Sequence, residues 1–123
     1  IVKQGKIYFT SVDGCILIVD SGSLKLIETI ELYKFKNYGG VRGWCRGLYI
    51  EGDLFYIGFS RLRKTKAKGK LAWLSRFSNY LSPSKQSSVL AFDMKKRIIV
   101  KDYPIPEDAI DAVYAILPEP DNQ

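Results

Sequence analysis

Arginine and lysine are the residues of this chain best equipped for chemistry, and they are gathered rather than spread. Residues 54–92 hold eight basic side chains and no acidic one. Residues 1–53 hold seven basic and six acidic side chains, and residues 93–123 hold four basic and seven acidic. The segment's +8 therefore exceeds the net +6 of the whole 123-residue chain. Its dense part is Arg61, Arg63, Lys64, Lys66, Lys68 and Lys70, and a second group, Lys34, Lys36, Arg42, Trp44 and Arg46, lies in or beside residues 33–45. Guanidinium groups grip phosphate, sulfate and carboxylate through paired hydrogen bonds, and a local excess of positive charge draws such groups in. The candidate ligand-binding residues are Arg42, Trp44, Arg46, Arg61, Arg63, Lys64 and Lys66. Their expected partner is an anionic small molecule or an acidic macromolecule, with nucleic acid the weaker candidate. The competing readings are a solvated loop for the lysine run and, for Arg46 and Arg61, salt bridges to Asp53 or to a neighbouring repeat's carboxylate.

Catalytic signatures are sparse. The chain has no histidine, which excludes a Ser-His-Asp triad and a His-ligated metal within it. No Gly-x-x-x-x-Gly-Lys-Ser/Thr phosphate loop occurs. Glu107, Asp108 and Asp111 are the only clustered carboxylates, and their spacing matches no calcium loop. No metal and no cofactor is expected. Asp20 and Asp93 each precede a turn, which suits a turn-capping hydrogen bond better than catalysis. Cys15 and Cys45 are the only two cysteines, too few for a disulfide framework and without a Cys-x-x-Cys pair. A reduced, cytoplasmic setting is expected. No apolar run approaches the roughly 18 residues needed to span a bilayer, so no transmembrane segment is expected.

The elements that must position these side chains read as strands: runs of β-branched and aromatic residues bounded by Gly, Asp and Ser. Strands are predicted at 7–12, 15–20, 24–32, 46–51, 54–60, 88–93, 97–103 and 111–117, joined by short turns that favour antiparallel meanders. The same script is written twice. Gly5-Lys6-Ile7-Tyr8-Phe9, then Ile16 to Asp20, then Leu24 to Leu32, is echoed by Gly52-Asp53-Leu54-Phe55-Tyr56, Val89 to Asp93 and Arg97 to Ile105. Gly5 aligns with Gly52 at an offset of 47 and Asp20 with Asp93 at 73, so the second copy holds about 26 extra residues. This insertion, 61–86, contains the basic run. Apolar residues at 73, 74, 77, 80 and 81 give its latter part a helical period, and Ser82-Pro83 is a stop signal. A short amphipathic helix over 71–81 is predicted, packed on its own domain or turned toward a partner or a membrane surface.

Four-stranded meanders that repeat are the blades of a β-propeller. The fold class expected is all-β, with antiparallel four-stranded meanders as propeller blades and a short helical insertion. One domain, 1–123, would comprise blade one at 1–32, blade two at 46–105 with its insertion at 61–86, and a final strand at 110–118. The run Gly47-Leu48-Tyr49-Ile50-Glu51-Gly52-Asp53-Leu54-Phe55-Tyr56-Ile57-Gly58-Phe59-Ser60-Arg61 resembles a blade of NHL- and quinoprotein-like propellers. Cys45-Arg46-Gly47-Leu48, Gly58-Phe59-Ser60-Arg61 and Val113-Tyr114-Ala115-Ile116-Leu117-Pro118 resemble a group of uncharacterised bacterial six-bladed propellers. That resemblance implies a fold and no particular chemistry.

Two blades cannot close a ring, so remaining blades or a homo-oligomer would be needed, and the start at Ile1 reads as that of a fragment. In a propeller the loop after a blade's second strand emerges beside the connection between blades, which would bring both basic segments to one face. The function expected is a binding or scaffold module presenting a basic, aromatic face to an anionic ligand or partner. The alternative is a C-terminal fragment of a propeller enzyme, in which Arg46 and Arg61 orient a substrate and missing blades hold the catalytic residues. The reading leans to a non-enzyme.

Overall fold

A computed structural model describes residues 1–61, 86–110 and 112–120. The rest of the insertion, with Arg63, Lys64, Lys66 and the helix expected over 71–81, lies outside the described residues. Eight strands follow one another: β1 (Val2–Lys3), β2 (Lys6–Thr10), β3 (Cys15–Asp20), β4 (Leu26–Glu31), β5 (Cys45–Glu51), β6 (Leu54–Phe59), β7 (Ser88–Asp93) and β8 (Ile98–Pro104). A 3-10 turn, Leu32–Lys34, follows β4. The strands form two antiparallel four-stranded sheets, ordered β1-β2-β3-β4 and β5-β6-β7-β8. The chain is therefore all-β, two propeller-blade-like meanders in succession. Among the described residues no helix is long and apolar enough to cross a membrane.

The two sheets share one strand order, and the ladders set their register. Lys6 pairs with Asp20 in the first and Leu54 with Asp93 in the second. The β2–β6 offset is thus 48, one more than aligning Gly5 with Gly52 suggests. The reason is turn chemistry. In the first hairpin Gln4 and Gly5 both take positive φ (50° and 72°), whereas in the second the glycine comes first, Gly52 at 57°. A turn glycine marks a hairpin but not its phase.

Finer details repeat as well. Both sheets carry a bulge at the matching place, between Ile18/Val19 and between Ala91/Phe92. Both third turns are closed alike: the Ser23 amide donates to Asp20 Oδ1 at 2.7 Å and the Lys96 amide to Asp93 Oδ1 at 2.8 Å. Leu24 and Arg97 follow at φ 56° and 58°, their amides bonded to the Asp20 and Asp93 carbonyls. The two aspartates do cap turns.

The core lies between the sheets. Strand alternation sends Tyr8, Ile16, Ile18 and Ile30 to one side of the first sheet, where they meet Phe55, Ile57, Leu90, Phe92 and Ile99 of the second. Tyr8 packs edge-on against Phe55 with centroids 5.4 Å apart. Leu32, Phe35 and Tyr38 of the connection close one end of this layer. Arg97 bridges the sheets from a turn, its Nη1 2.7 Å and its Nη2 3.0 Å from the two carboxylate oxygens of Glu28.

The final strand expected at 110–118 does not form among the described residues. Residues 112–120 join no sheet. Val113 shows why. Its amide donates to Ser60 Oγ at 3.0 Å, and its carbonyl accepts from that hydroxyl at 3.3 Å. A side chain satisfies what a neighbouring strand would otherwise satisfy.

Candidate functional site

Antiparallel alternation sends the β2–β3 turn, the 32–44 connection, the two ends of the insertion and the end of β8 to one end of the sheets. Backbone bonds tie them together there. The Leu32 amide donates to Gly14, Cys45 to Val12, Ser60 to Trp44 and Ile105 to Ser87. The insertion's described ends also meet, since the Arg61 amide donates to Ser87 Oγ at 2.9 Å. The +8 segment of the sequence thus leaves and re-enters the fold beside the connection bearing Lys34, Lys36 and Trp44.

The connection holds a small hollow of about 160 Å³ lined by Tyr33, Phe35, Lys36, Asn37, Tyr38, Gly39 and Gly40. Its backbone is unusual: Asn37, Gly39 and Gly40 all have positive φ, at 71°, 67° and 76°. Asn and Gly are the residues that enter this region at least cost. Lys36 is exposed at the rim. Lys34 is engaged nearby in an ion pair with Glu31, which also accepts a hydrogen bond from the Tyr33 hydroxyl. Lys34 and Tyr33 hold the Glu31 carboxyl below its usual range. The same hydrogen bond pushes Tyr33 up to about 12, so both partners keep their charge states through neutral pH.

Arg42 is turned inward and is only 1% exposed. Its Nη2 lies 2.7 Å from Asp102 Oδ2 and its Nη1 3.2 Å from Oδ1. It also donates to Ser88 Oγ at 2.8 Å and, from Nε and Nη2, to the Tyr38 carbonyl at 3.0 and 2.6 Å. The guanidinium carbon stands 5.0 Å and 5.2 Å from the Tyr38 and Phe59 ring centroids. A buried charge needs such a full set of partners. Arg42 therefore holds the wall of the hollow from behind. The phenol of Tyr38 abuts Gly14, where a built Cβ would stand 3.0 Å from its oxygen. Burial raises the Tyr38 pKa, with the Arg42 charge opposing.

The other candidates scatter. Arg46 emerges on the outer face of the second sheet, its guanidinium carbon 5.1 Å from the Tyr114 ring centroid. Trp44 and Arg61 are both exposed, at the end shared by the loops. Strand alternation would put positions 42, 44 and 46 on one face, but residues 41–44 precede β5, and Arg42 is buried whereas Trp44 and Arg46 are exposed. Lys36 and the Asn37–Gly40 backbone stand outside the candidate set although they line the hollow. The run Asn-Tyr-Gly-Gly is the signal that points to them, as a turn cluster of residues tolerant of positive φ.

Cys15 and Cys45 are buried free thiols. Burial pushes Cys45 up to about 12 and raises Cys15 as well. Such thiols are poor nucleophiles. Among the described residues no group of three or more His, Cys, Asp or Glu stands close enough to hold a metal ion. Comparison with protein-family models, with curated proteins and with solved structures finds no match to this chain.

Proposed function

We propose that the chain is a binding or scaffold module built from propeller blades, and that it presents one basic, aromatic end to an anionic ligand or acidic partner. One observation carries the reading: the segment with eight basic and no acidic residues departs and returns beside the connection that holds the hollow rimmed by Lys36. Ligand oxygens would meet Lys36 and the backbone amides of Asn37, Gly39 and Gly40, while Arg61, Arg63, Lys64 and Lys66 supply long-range attraction. Arg42 contributes by holding Tyr38 in place and not by touching the ligand.

Heparin serves as a polyanionic probe and inorganic phosphate as a small one. Titration of the full chain at two salt concentrations should show heparin binding that weakens steeply with salt. Replacing Lys64, Lys66, Lys68 and Lys70 with Gln should weaken heparin binding at least tenfold. Lys36→Gln should weaken phosphate binding while leaving heparin binding nearly intact. Binding that ignores both salt and these substitutions would refute the reading.

A further inference from the structure

The first sheet has two apolar faces, and the second sheet covers only one of them. Ladder register makes Ile7, Phe9, Leu17, Val19 and Leu26 the counterparts of Phe55, Ile57, Leu90, Phe92 and Ile99. In the second sheet those five positions form the buried row, between 0% and 6% exposed, packed on Tyr8, Ile16, Ile18 and Ile30. In the first sheet the corresponding row lies on the outside. Phe9 is 43% exposed and Leu26 57%, with Val2 beside them at 71%. A contiguous apolar face of this kind marks an interaction surface.

The opposite end of the stack is different. Residues 112–118 cross the outer face of the second sheet along β5 and β6. Val113 sits over Gly58, Ala115 over Gly47 and Tyr114 over Arg46. Among the described residues the stack is thus covered on that side and open on the other.

The geometry points to the outer face of the first sheet as a docking face for one further four-stranded meander of this same repeat. The occupant's row equivalent to Tyr8, Ile16, Ile18 and Ile30 would lie over Phe9, Leu17 and Val19. The internal interface supplies the template: the two rows packed in the core are, position for position, the rows that would meet. A second copy of the chain is a poorer fit. Its surface of matching pattern is the outer face of its own second sheet, at Tyr56, Val89 and Ala91, and residues 112–118 already cross that face. The inference rests on the repeat reading of the fold and is independent of anion binding.

A tandem chain tests it, with residues 1–48 placed directly before Ile1. The Ile1 carbonyl accepts from the Tyr8 amide at 2.7 Å, as Tyr49 pairs with Tyr56, so the Leu48–Ile1 junction keeps strand register. The expected result is a melting temperature at least about 5 °C above that of the parent chain. Phe9→Lys or, independently, Leu17→Asn in the receiving copy should remove that gain, while Phe9→Lys changes the parent chain little. No gain, or a gain indifferent to both substitutions, overturns the inference. Sedimentation of the parent chain should show a monomer; a dimer that Phe9→Lys dissociates would make a second copy the occupant and overturn it too. None of these readouts depends on anions, so failure here and failure of heparin binding are distinguishable.

Discussion

Arg42 and Asp102 meet at 2.7 Å across 60 residues of chain, joining the connection between the sheets to the last strand of the second. The pair is lopsided. The Arg42 side chain is fully buried whereas Asp102 keeps 26% of its side chain in water, so most of the desolvation cost falls on the guanidinium. Removing one partner of such a pair leaves a buried charge uncompensated. Asp102→Ala should therefore destabilise the chain by about 3 kcal/mol, the lower part of the range for breaking buried pairs, because Asp102 is partly hydrated. Asp102→Asn keeps an acceptor and should cost less. Arg42→Lys cannot span Tyr38, Ser88 and Asp102 with one ammonium, and should approach the alanine loss. Urea unfolding measures all three; a neutral Asp102→Ala would show that Tyr38 and Ser88 alone suffice.

Gly58 is required by space and not by its backbone angle. A Cβ built there would stand 2.4 Å from Val113 Cγ1 and 2.6 Å from the Arg46 carbonyl oxygen. The second contact is with backbone, which cannot swing aside. Gly58→Ala should cost about 1–3 kcal/mol, as overpacking usually does. It should also speed exchange of the Val113 amide, now bonded to Ser60 Oγ. Val113→Ala in that background should recover only part of the loss, because the clash with Arg46 persists. Unchanged exchange at Val113 would mean that the segment accommodates the methyl group.

What the sequence reveals, and what it hides, follows from the range of the interactions involved. Strands, turns and the aspartate caps depend on neighbours within a few residues, and period-two patterns with Gly and Asp punctuation expose them. The inward turn of Arg42 depends on Ser88 and Asp102, 46 and 60 residues away, so nothing local separates it from a surface arginine. The apolar run after residue 111 has the composition of a strand. Its partners are nevertheless the hydroxyl of Ser60 and the bare backbones of Gly47 and Gly58, which no periodicity foretells. The one-residue slip between the copies has the same character, since a hairpin glycine can occupy either turn position.

The Asp20 cap gives a pH dependence with a definite sign. The Ser23 amide and hydroxyl hold the Asp20 carboxyl below its usual pKa. A group depressed in the folded state contributes stability above its unfolded pKa, about 3.9, and loses it as pH falls through the folded value. Asp20→Asn should leave thermal stability at pH 7 slightly lower and make its decline between about pH 4 and pH 2 shallower. Melting curves across that window check it; parallel acid limbs for the two proteins would show that the cap does not titrate with folding.

Alkaline stability turns on the opposite sign. Burial raises Cys45 from 9.0 to about 12 and raises Cys15 and Tyr38, while the hydrogen bond to Glu31 raises Tyr33 to about 12. Each raised group favours the folded state fully below its unfolded pKa, and that contribution disappears as pH climbs through the folded value. The melting temperature should hold to about pH 9 and fall steeply between pH 9 and 12. Cys45→Ala, which removes a thiol without inserting a polar group, should flatten the part of that limb due to Cys45. Thiolate content sets nucleophilicity, so iodoacetamide at pH 8 should leave Cys45 unmodified in the folded chain and label it rapidly in urea. Equal labelling rates in both states would mean that the site opens readily, and Cys45 could then contribute nothing to the alkaline limb.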